Sequence, residues 1–281
     1  MSVRIIVDAT ADMIPEVAAR VKTVPLTVTF GEKEYMSGVD MDAKKFYEML
    51  VESDELPTTS QATPFAFGEA FEEAVVQGDE VVCLTCSGKL SGTHQSAVIA
   101  AADYPGKVHV VDSNTIAIGL GILVEYALRL ADNGLSAEEI TWKLLQKRES
   151  IRLLAMVDTL EYLKKGGRIS AAAAIAGGIL NIKPVITLTG GEIKVLGKAR
   201  GSRQANNLLV QEIQKAGGVD FGKPLLLGYT GLSDALLQKY IQDSAVLWTD
   251  ARQVLPYAIV GSVVGTHVGP GAVAVAFFAA E

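Results

Sequence analysis

One segment, residues 80–113, constrains the fold more than any other part of the chain. The apolar run EVVCLT predicts a buried strand, a hydroxyl-rich turn follows it, a helix begins near Thr93, and KVHVVDS predicts a second strand. This strand-helix-strand order is the signature of a mainly parallel sheet covered by helices. We therefore expect an α/β fold.

The same alternation extends over the first 150 residues. Strands are predicted at VRIIVDAT and PLTVTF, and helices at DAKKFYEML, PFAFGEAFEEAVV, IAIGLGILVEYALRLAD and SAEEITWKLLQK, with LPTTSQAT as a polar linker. The last of these helices begins with a capping box formed by Ser136 and Glu139. We predict an N-terminal α/β lobe, residues 1–150, with a mainly parallel sheet.

The pattern changes after residue 150. The Gly190-Gly191 pair joins two predicted strands and is typical of a hairpin turn. The remaining predicted elements are the helices LEYLKK, NNLLVQEIQKA and one from Ser233, and the strands RLLAMVDT, PVITLT, EIKVLGKAR, PLLLGYT, AVLWTD and AVAVAFF. We predict a second α/β lobe, residues 151–281, with a mixed sheet.

Charge and hydropathy exclude several classes of partner. The chain of 281 residues carries a formal net charge of −7, which opposes non-specific binding to nucleic acid or to an anionic bilayer. Residues 255–280 contain no charged side chain, but their prolines and glycines argue against a membrane-spanning helix. The N-terminus lacks a secretory signal pattern, and cysteines are few, so we expect a cytoplasmic protein.

Cys83 and Cys86 form a CxxC motif that does not predict redox or metal chemistry. A spacing of three along a strand points the two side chains to opposite faces, and no second ligand pair at metal-binding spacing occurs. We expect ordinary strand cysteines and no metal site.

The turn CSGKLSGTHQSA, residues 86–97, is the first candidate binding site. A strand that ends in a Ser/Gly/Thr turn and leads into a helix directs free backbone N–H groups at an anion. Ser91 alone would be explained as a helix cap. Two further hydroxyl- or glycine-rich loops, TTSQAT and GTHVGPG, and the loop GGRIS with Arg168, add candidate polar contacts.

A catalytic interpretation of these residues is the alternative. Ser91 as nucleophile and His267 as base would make the protein a hydrolase or transferase acting on a small anionic substrate. The sequence KLSGT around Ser91 lacks the glycine-flanked elbow of such enzymes.

The chain resembles the DegV family, the bacterial fatty-acid-binding proteins that serve as the acyl-carrier subunit of fatty acid kinase. The motifs that carry the resemblance are distributed in order along nearly the whole chain: VDATAD, TSQ, CSGKLSGTHQSA, VVDS, DTLEYLKKGGRIS, LNIKP, KARG and GTHVGPGA.

The resemblance implies two DegV-like lobes with a lipid site between them. It implies a carrier that is not an enzyme, with no catalytic residue, no metal and no cofactor, and with the fatty acid as its bound ligand. Matched to this sequence, the carboxylate-binding residues are Thr59, Ser91, Gly92, Thr93 and His267, and the residues of the head-group entrance or of kinase docking are Arg168 and Arg200.

The resemblance also implies the partners. A long-chain fatty acid would be held by its tail and presented to a separate ATP-dependent kinase, which converts it to acyl-phosphate for phospholipid synthesis. Transient contact with a membrane would exchange the lipid. We expect the apolar runs AAAAIAGGIL and IAIGLGIL to contribute to the lining of the tail site.

Overall fold

A computed structural model gives the structure of the protein and describes residues 2–170, 181–249 and 255–280. The strands of the described residues are β1 Val3–Asp8, β2 Lys22–Val24, β3 Thr27–Phe30, β4 Lys33–Met36, β5 Thr58–Ser60, β6 Glu80–Thr85, β7 Val108–Asp112, β8 Ile151–Met156, β9 Ile182–Thr189, β10 Glu192–Arg200, β11 Leu225–Tyr229, β12 Tyr257–Ile259 and β13 Val273–Phe278. The α-helices are α1 Pro15–Ala18, α2 Ala43–Glu52, α3 Pro64–Val76, α4 Thr93–Ala101, α5 Ala117–Asp132, α6 Ala137–Lys147, α7 Glu161–Lys165, α8 Gly201–Lys215, α9 Ala235–Asp243 and α10 Ser262–Val268.

The first large sheet is parallel, as the strand-helix-strand pattern predicts. Its strand order is β2-β1-β6-β7, and all three pairings are parallel. Cys83 contributes to the core on the face covered by α3 and α4, whereas Cys86 contributes to the core on the α5 face. Burial raises the pKa of both thiols well above the usual value, which suits packing and not thiolate chemistry.

A small antiparallel sheet of order β4-β3-β5 lies beside this lobe. The predicted linker TTSQAT supplies its edge strand β5, in which Thr59 pairs with Val28 of β3. Val28 is fully buried and packs in one cluster with Phe46 and Tyr47 of α2. This packing explains why a polar segment without apolar alternation is a strand here.

The second large sheet is mixed. Its order is β10-β9-β8-β13-β11-β12, and of the described strand pairs within this sheet only β11–β12 is parallel. Gly190 and Gly191 form the predicted hairpin turn with φ values of 57° and 80°, a conformation that glycine adopts at little cost. Ser87 of the first lobe donates a hydrogen bond of 2.8 Å to the Gly191 carbonyl.

Helix α5 lies between the two large sheets. Its residues from Ala117 to Val124 are all buried, and it contacts β1 and β6 on one side and β8, β11 and β13 on the other. The prediction of a mostly buried helix is thus confirmed. Because both sheets pack on α5, they share one apolar core.

Two predictions of local structure are wrong. AVLWTD was expected as a strand, but Ala245–Leu247 form a 3-10 turn, because the Trp248 indole packs edge-on against Tyr240 and donates to Ser244 Oγ at 2.9 Å. GTHVGPG was expected as a turn, but its first residues belong to α10 and the chain turns only at Gly269, where φ is 74°. The Ala-rich run AAAAIAGGIL lies outside the described residues.

Candidate functional site

A polar cleft of about 360 Å³ opens at the carboxyl end of the parallel sheet, beside β5 and α10. Several chain segments that are distant in sequence meet there. Its polar and glycine lining includes Thr59, Gln61, Ser91, Gly92, Arg168 and His267. The cleft thus brings together the hydroxyl-rich loops that the sequence indicates.

Thr59 and His267 are hydrogen-bonded across the cleft, with 2.8 Å between Thr59 Oγ1 and His267 Nε2. The other ring nitrogen, Nδ1, is buried without a hydrogen-bond partner among the described residues. A buried N–H without an acceptor costs more than a bare acceptor nitrogen, so the proton belongs on Nε2. Nε2 then donates to Thr59, and the Thr59 hydroxyl is free to donate its own proton into the cleft.

The charge state of His267 follows from its surroundings. Burial, with the nearby positive charge of Arg168, lowers the pKa of the imidazole to about 4, so the ring is neutral at pH 7. Gly166 lies against the ring: a Cβ at that position would be 2.2 Å from His267 Nδ1. Glycine at position 166 therefore leaves the space that the ring occupies, a role that the sequence did not reveal.

Ser91 is held by its neighbour at the start of α4. Its Oγ lies 2.9 Å from Thr93 Oγ1 and accepts from the Thr93 backbone N–H at 3.2 Å. Thr93 itself is fully buried and does not line the cleft. The structure thus places Ser91 at the cleft surface and Thr93 behind it as its support.

Gln61 joins β5 to the start of α4. Its Nε2 donates to Ser96 Oγ at 3.0 Å, and its amide lies against Gly92, where a Cβ would be 2.0 Å from Gln61 Oε1. Glycine at position 92 therefore permits this close approach. The contact sets the separation of the loops that carry Thr59 and Ser91.

Arg168 is held by two carbonyl groups. Its Nε donates to Leu90 O at 3.2 Å and its Nη1 donates to Gly166 O at 2.6 Å. Among the described residues, no carboxylate lies within salt-bridge distance of its guanidinium. The cleft therefore contains a positive charge that no described carboxylate neutralises.

Arg200 lies elsewhere. Arg200 ends β10 and directly precedes α8. Its backbone N–H donates to Gln204 Oε1 at 3.1 Å. It is exposed and does not line the polar cleft. The structure thus separates Arg200 from the other predicted residues.

A narrow apolar slot adjoins the cleft and lies between the mixed sheet and the helices α5 and α10. Ile116 and Val264 line both the cleft and the slot. Further slot residues are Ala155, Ile186, Val268, Ala272 and Ala274. Of the expected tail-lining run IAIGLGIL, only Ile116 and Ala117 line the slot, because the following residues pack in the core between the sheets.

Asp12 anchors α10, a role that no local sequence pattern indicates. Its Oδ1 accepts from the Gly261 backbone N–H at 2.7 Å, just before the helix begins, while its Oδ2 is buried without a partner in the described part of the chain. Burial raises the pKa of this carboxyl to about 7. The N-terminal lobe thereby holds the helix that carries His267.

The geometry does not form a nucleophile-base pair. His267 pairs with Thr59, and the Ser91 hydroxyl pairs with Thr93, whereas nucleophilic catalysis requires the base within hydrogen-bond reach of the nucleophile. In the described ranges, no group of three or more His, Cys, Asp or Glu residues is placed to hold a metal ion. No described helix has both the length and the apolar character to cross a membrane.

Comparison with known proteins covers the whole chain. The family model for "Uncharacterised protein, DegV family" matches residues 2–280. A DegV domain-containing protein from Caldanaerobacter subterraneus is 35% identical over 281 residues, which is 98% of each chain.

Two solved structures are similar over nearly their full length. A DegV family protein from Thermus thermophilus, described as fatty-acid binding, has 31% identity and a TM-score of 0.87 and covers 99% of this chain and 100% of its own. The Streptococcus pneumoniae fatty acid kinase (Fak) B3 protein, loaded with linoleic acid, has 25% identity and a TM-score of 0.86 and covers 100% of both chains.

Proposed function

This chain belongs to the DegV family, and on that premise we propose that it is a carrier of long-chain fatty acids. The observation that carries the proposal is the junction of the apolar slot with the polar cleft through Ile116 and Val264. Such a site matches an amphiphile with a long apolar tail and a small anionic head. The fatty-acid ligands of the similar T. thermophilus and S. pneumoniae proteins support the same ligand class.

The tail supplies the affinity in this proposal. Burial of one methylene contributes about 0.8 kcal/mol, so a chain of about fifteen methylenes contributes on the order of 12 kcal/mol before the costs of association. A ligand bound in this way is retained through purification.

The head group is held by hydrogen bonds in the cleft. A carboxylate that leaves water needs several donors, and the hydroxyl protons of Thr59 and Ser91 supply two, with Thr93 Oγ1 as the donor in its bond to Ser91 Oγ. The Gly92 backbone completes the α4 end of the site, Thr93 supports Ser91 from behind, and Arg168 compensates the negative charge. His267 acts as a neutral group that orients the Thr59 hydroxyl.

The carrier presents the carboxylate to a separate ATP-dependent kinase, which forms the acyl-phosphate used for phospholipid synthesis. In this role the chain contributes no catalytic residue and needs no cofactor beyond its bound lipid. Arg168 at the cleft and Arg200 on the outer surface suit docking of acidic groups on the kinase, because a guanidinium pairs with carboxylates in a bidentate manner. The carrier works in the cytoplasm and exchanges lipid in transient contact with a membrane.

Organic extraction of the purified recombinant protein tests the proposal directly. We expect close to one fatty acid per chain, identified by mass spectrometry of the extract and by native mass spectrometry of the intact complex. The mass also separates a fatty acid from another amphipathic anion such as a sterol acid.

Protein that is consistently free of lipid and that takes up neither oleate nor palmitate would refute the carrier function. Turnover of a small activated ester without any partner, together with covalent labelling of Ser91, would favour the hydrolase or transferase alternative instead.

A further inference from the structure

A second groove adjoins the polar cleft on its outer side. It lies between the loop that carries Lys89, the loop after α7 that carries Arg168, and the edge strand β10 with Glu192 and Lys194. We call it the basic groove. Leu90 and Arg168 line both the basic groove and the polar cleft, so the two spaces are neighbours across one wall.

The charge of the basic groove is opposite to that of the whole chain. Its described lining includes three cations, Lys89, Arg168 and Lys194, and a single carboxylate, whereas the chain as a whole has a formal net charge of −7. Lys194 is paired with the Glu192 carboxylate, and the positive charges of Lys194 and then of Lys89 lower the pKa of that carboxyl. The groove therefore attracts anions locally.

The existing ion pair in the groove is easily exchanged. Lys194 Nζ lies 2.9 Å from Glu192 Oε2, but the side chains are 54% and 53% exposed. Exposed ion pairs contribute little to stability, so Lys194 can turn to a second anion at low cost. Arg168, with two donors already bound to carbonyls, keeps its charge available at the wall between the spaces.

We propose that the basic groove is the phosphoryl subsite of the carrier, in which Lys89 and Lys194 bind the phosphate of the acyl-phosphate product. This assignment rests on the proposed carrier function and adds the contacts of the product to it. The acyl chain stays in the apolar slot, and the new phosphoryl group extends from the cleft past Arg168.

The chemistry of the product requires such a subsite. Phosphorylation replaces a carboxylate by a phosphoryl group with more negative charge and more acceptor oxygens, which need additional charged donors. Lysine ammonium groups bind phosphate as compact point charges with three donors each. Fatty acid without phosphate does not reach the groove and needs neither lysine.

Binding of two matched ligands to the full chain tests the assignment. The probes are palmitate and the methylene-bridged phosphonate analogue of palmitoyl phosphate, which cannot hydrolyse, each titrated by calorimetry into delipidated protein. For the double variant Lys89→Gln and Lys194→Gln we expect about tenfold or greater loss of phosphonate affinity and a change of about twofold or less for palmitate.

The control carries the same change of net charge elsewhere. Lys44 and Lys239 are exposed lysines on α2 and α9 that are also paired with a carboxylate. The double variant Lys44→Gln and Lys239→Gln should bind both ligands as the unmodified protein does.

Each remaining outcome overturns the assignment. Equal losses for both ligands, or an unchanged phosphonate affinity, would exclude a phosphoryl-specific role for the two lysines. If inorganic phosphate binds palmitate-loaded protein in a lysine-dependent manner, detected by phosphorus NMR, while the phosphonate gains nothing, the groove takes free phosphate and not the product. Failure of the unmodified protein to bind palmitate would refute the carrier function itself, which is a different result.

Discussion

The polar cleft and the apolar slot touch each other but are built in opposite ways. The cleft gathers side chains from β5, the start of α4, the loop after α7 and α10, and single hydrogen bonds such as Thr59 to His267 hold them in place. The slot is the continuous face of one sheet, closed by the start of α5 and by one side of α10. A small change should therefore disturb the cleft locally, whereas the slot responds only to a change of its volume.

This difference assigns separate tasks to the two regions. Apolar contact is proportional to buried area and has no direction, so the slot supplies affinity but cannot place the head group accurately. Hydrogen bonds are directional and individually modest, so the cleft sets the position of the head group. Variants of either region should follow this division.

Filling the slot should have the largest effect. Ala155 on β8 lines the slot and lies beside Ala274 and Ile186 on the neighbouring strands. A phenyl ring in Ala155→Phe would occupy the slot, and each methylene displaced from it costs about 0.8 kcal/mol. We expect extracted fatty acid to fall from near one per chain to near zero.

The matched control for this variant is Ala101→Phe. Ala101 is a partly buried alanine that packs on the core beneath α3 and α4, away from the slot. It should keep its lipid, and circular dichroism should show native secondary structure for both proteins. Lipid retained by Ala155→Phe would mean that the tail lies outside the slot.

Removing a head-group donor should have the next largest effect. Thr59→Ala and Ser91→Ala should each weaken palmitate binding by about 1 to 3 kcal/mol, because the carboxylate loses a hydrogen bond in a partly buried site. Titration of delipidated protein measures the dissociation constants. Thr59→Ser keeps the hydroxyl and should bind normally, whereas unchanged binding in both alanine variants would place the head group elsewhere.

The pH dependence of stability should separate the two groups that position α10. Asp12 has a folded pKa of about 7, against about 3.9 when unfolded, so the folded state retains the proton between about pH 4 and pH 7. The free energy of unfolding therefore falls as the pH rises through this window. His267 has the opposite shift, from about 6.5 unfolded to about 4 folded, and opposes this slope below about pH 6.5.

Single variants should reveal these opposed slopes in lipid-free protein. Between about pH 4.5 and 7, the free energy of unfolding of Asp12→Asn should increase as the pH rises. Over the same range, the free energy of unfolding of His267→Gln should decrease by an amount on the order of 3 kcal/mol. The histidine contribution should be the smaller one, because His267 is only partly buried whereas Asp12 is buried. Urea unfolding at several pH values checks both signs, and two slopes of the same sign would contradict the assignment.

The smallest effect should come from Gly166→Ala. The added methyl group would displace the His267 ring and break its bond to Thr59 without changing either side chain. We expect palmitate affinity to fall about fivefold, in line with one modest hydrogen bond. Gly68→Ala on α3 is the control, since a Cβ at position 68 has no neighbour within 4 Å, and equal effects of the two variants would argue against the contact.

Strong local patterns made much of the fold predictable. The parallel sheet, the buried helix α5 and the Gly190-Gly191 hairpin are confirmed because each depends on apolar periodicity or on turn chemistry. The edge strand β5 and the 3-10 turn at Ala245–Leu247 were missed, since packing on β3 and on Tyr240 determines them. The division of the chain near residue 150 stays a prediction.

The candidate site was predictable only in part. Hydroxyl-rich and glycine-rich loops drew attention to Ser91, Thr59 and His267, and the structure brings all three to the cleft. Asp12 acts through a hydrogen bond to Gly261, which is 249 residues away in the chain. Gly166 acts through its contact with the His267 ring on another helix, and no local sequence pattern indicates either contact. Their roles in binding stay predictions.

The seven-residue helix α10 has a consequence for selectivity. Val264 and Val268 face the slot while His267 faces the cleft, so one short rigid segment contacts both ends of any bound amphiphile. A tail that is too bulky would press on the two valines and shift the imidazole that aligns Thr59. The protein would then discriminate among tails by the strength of the hydrogen bond to the head group. Selection of the tail and positioning of the carboxylate are therefore coupled, and each affects the binding free energy of the other equally.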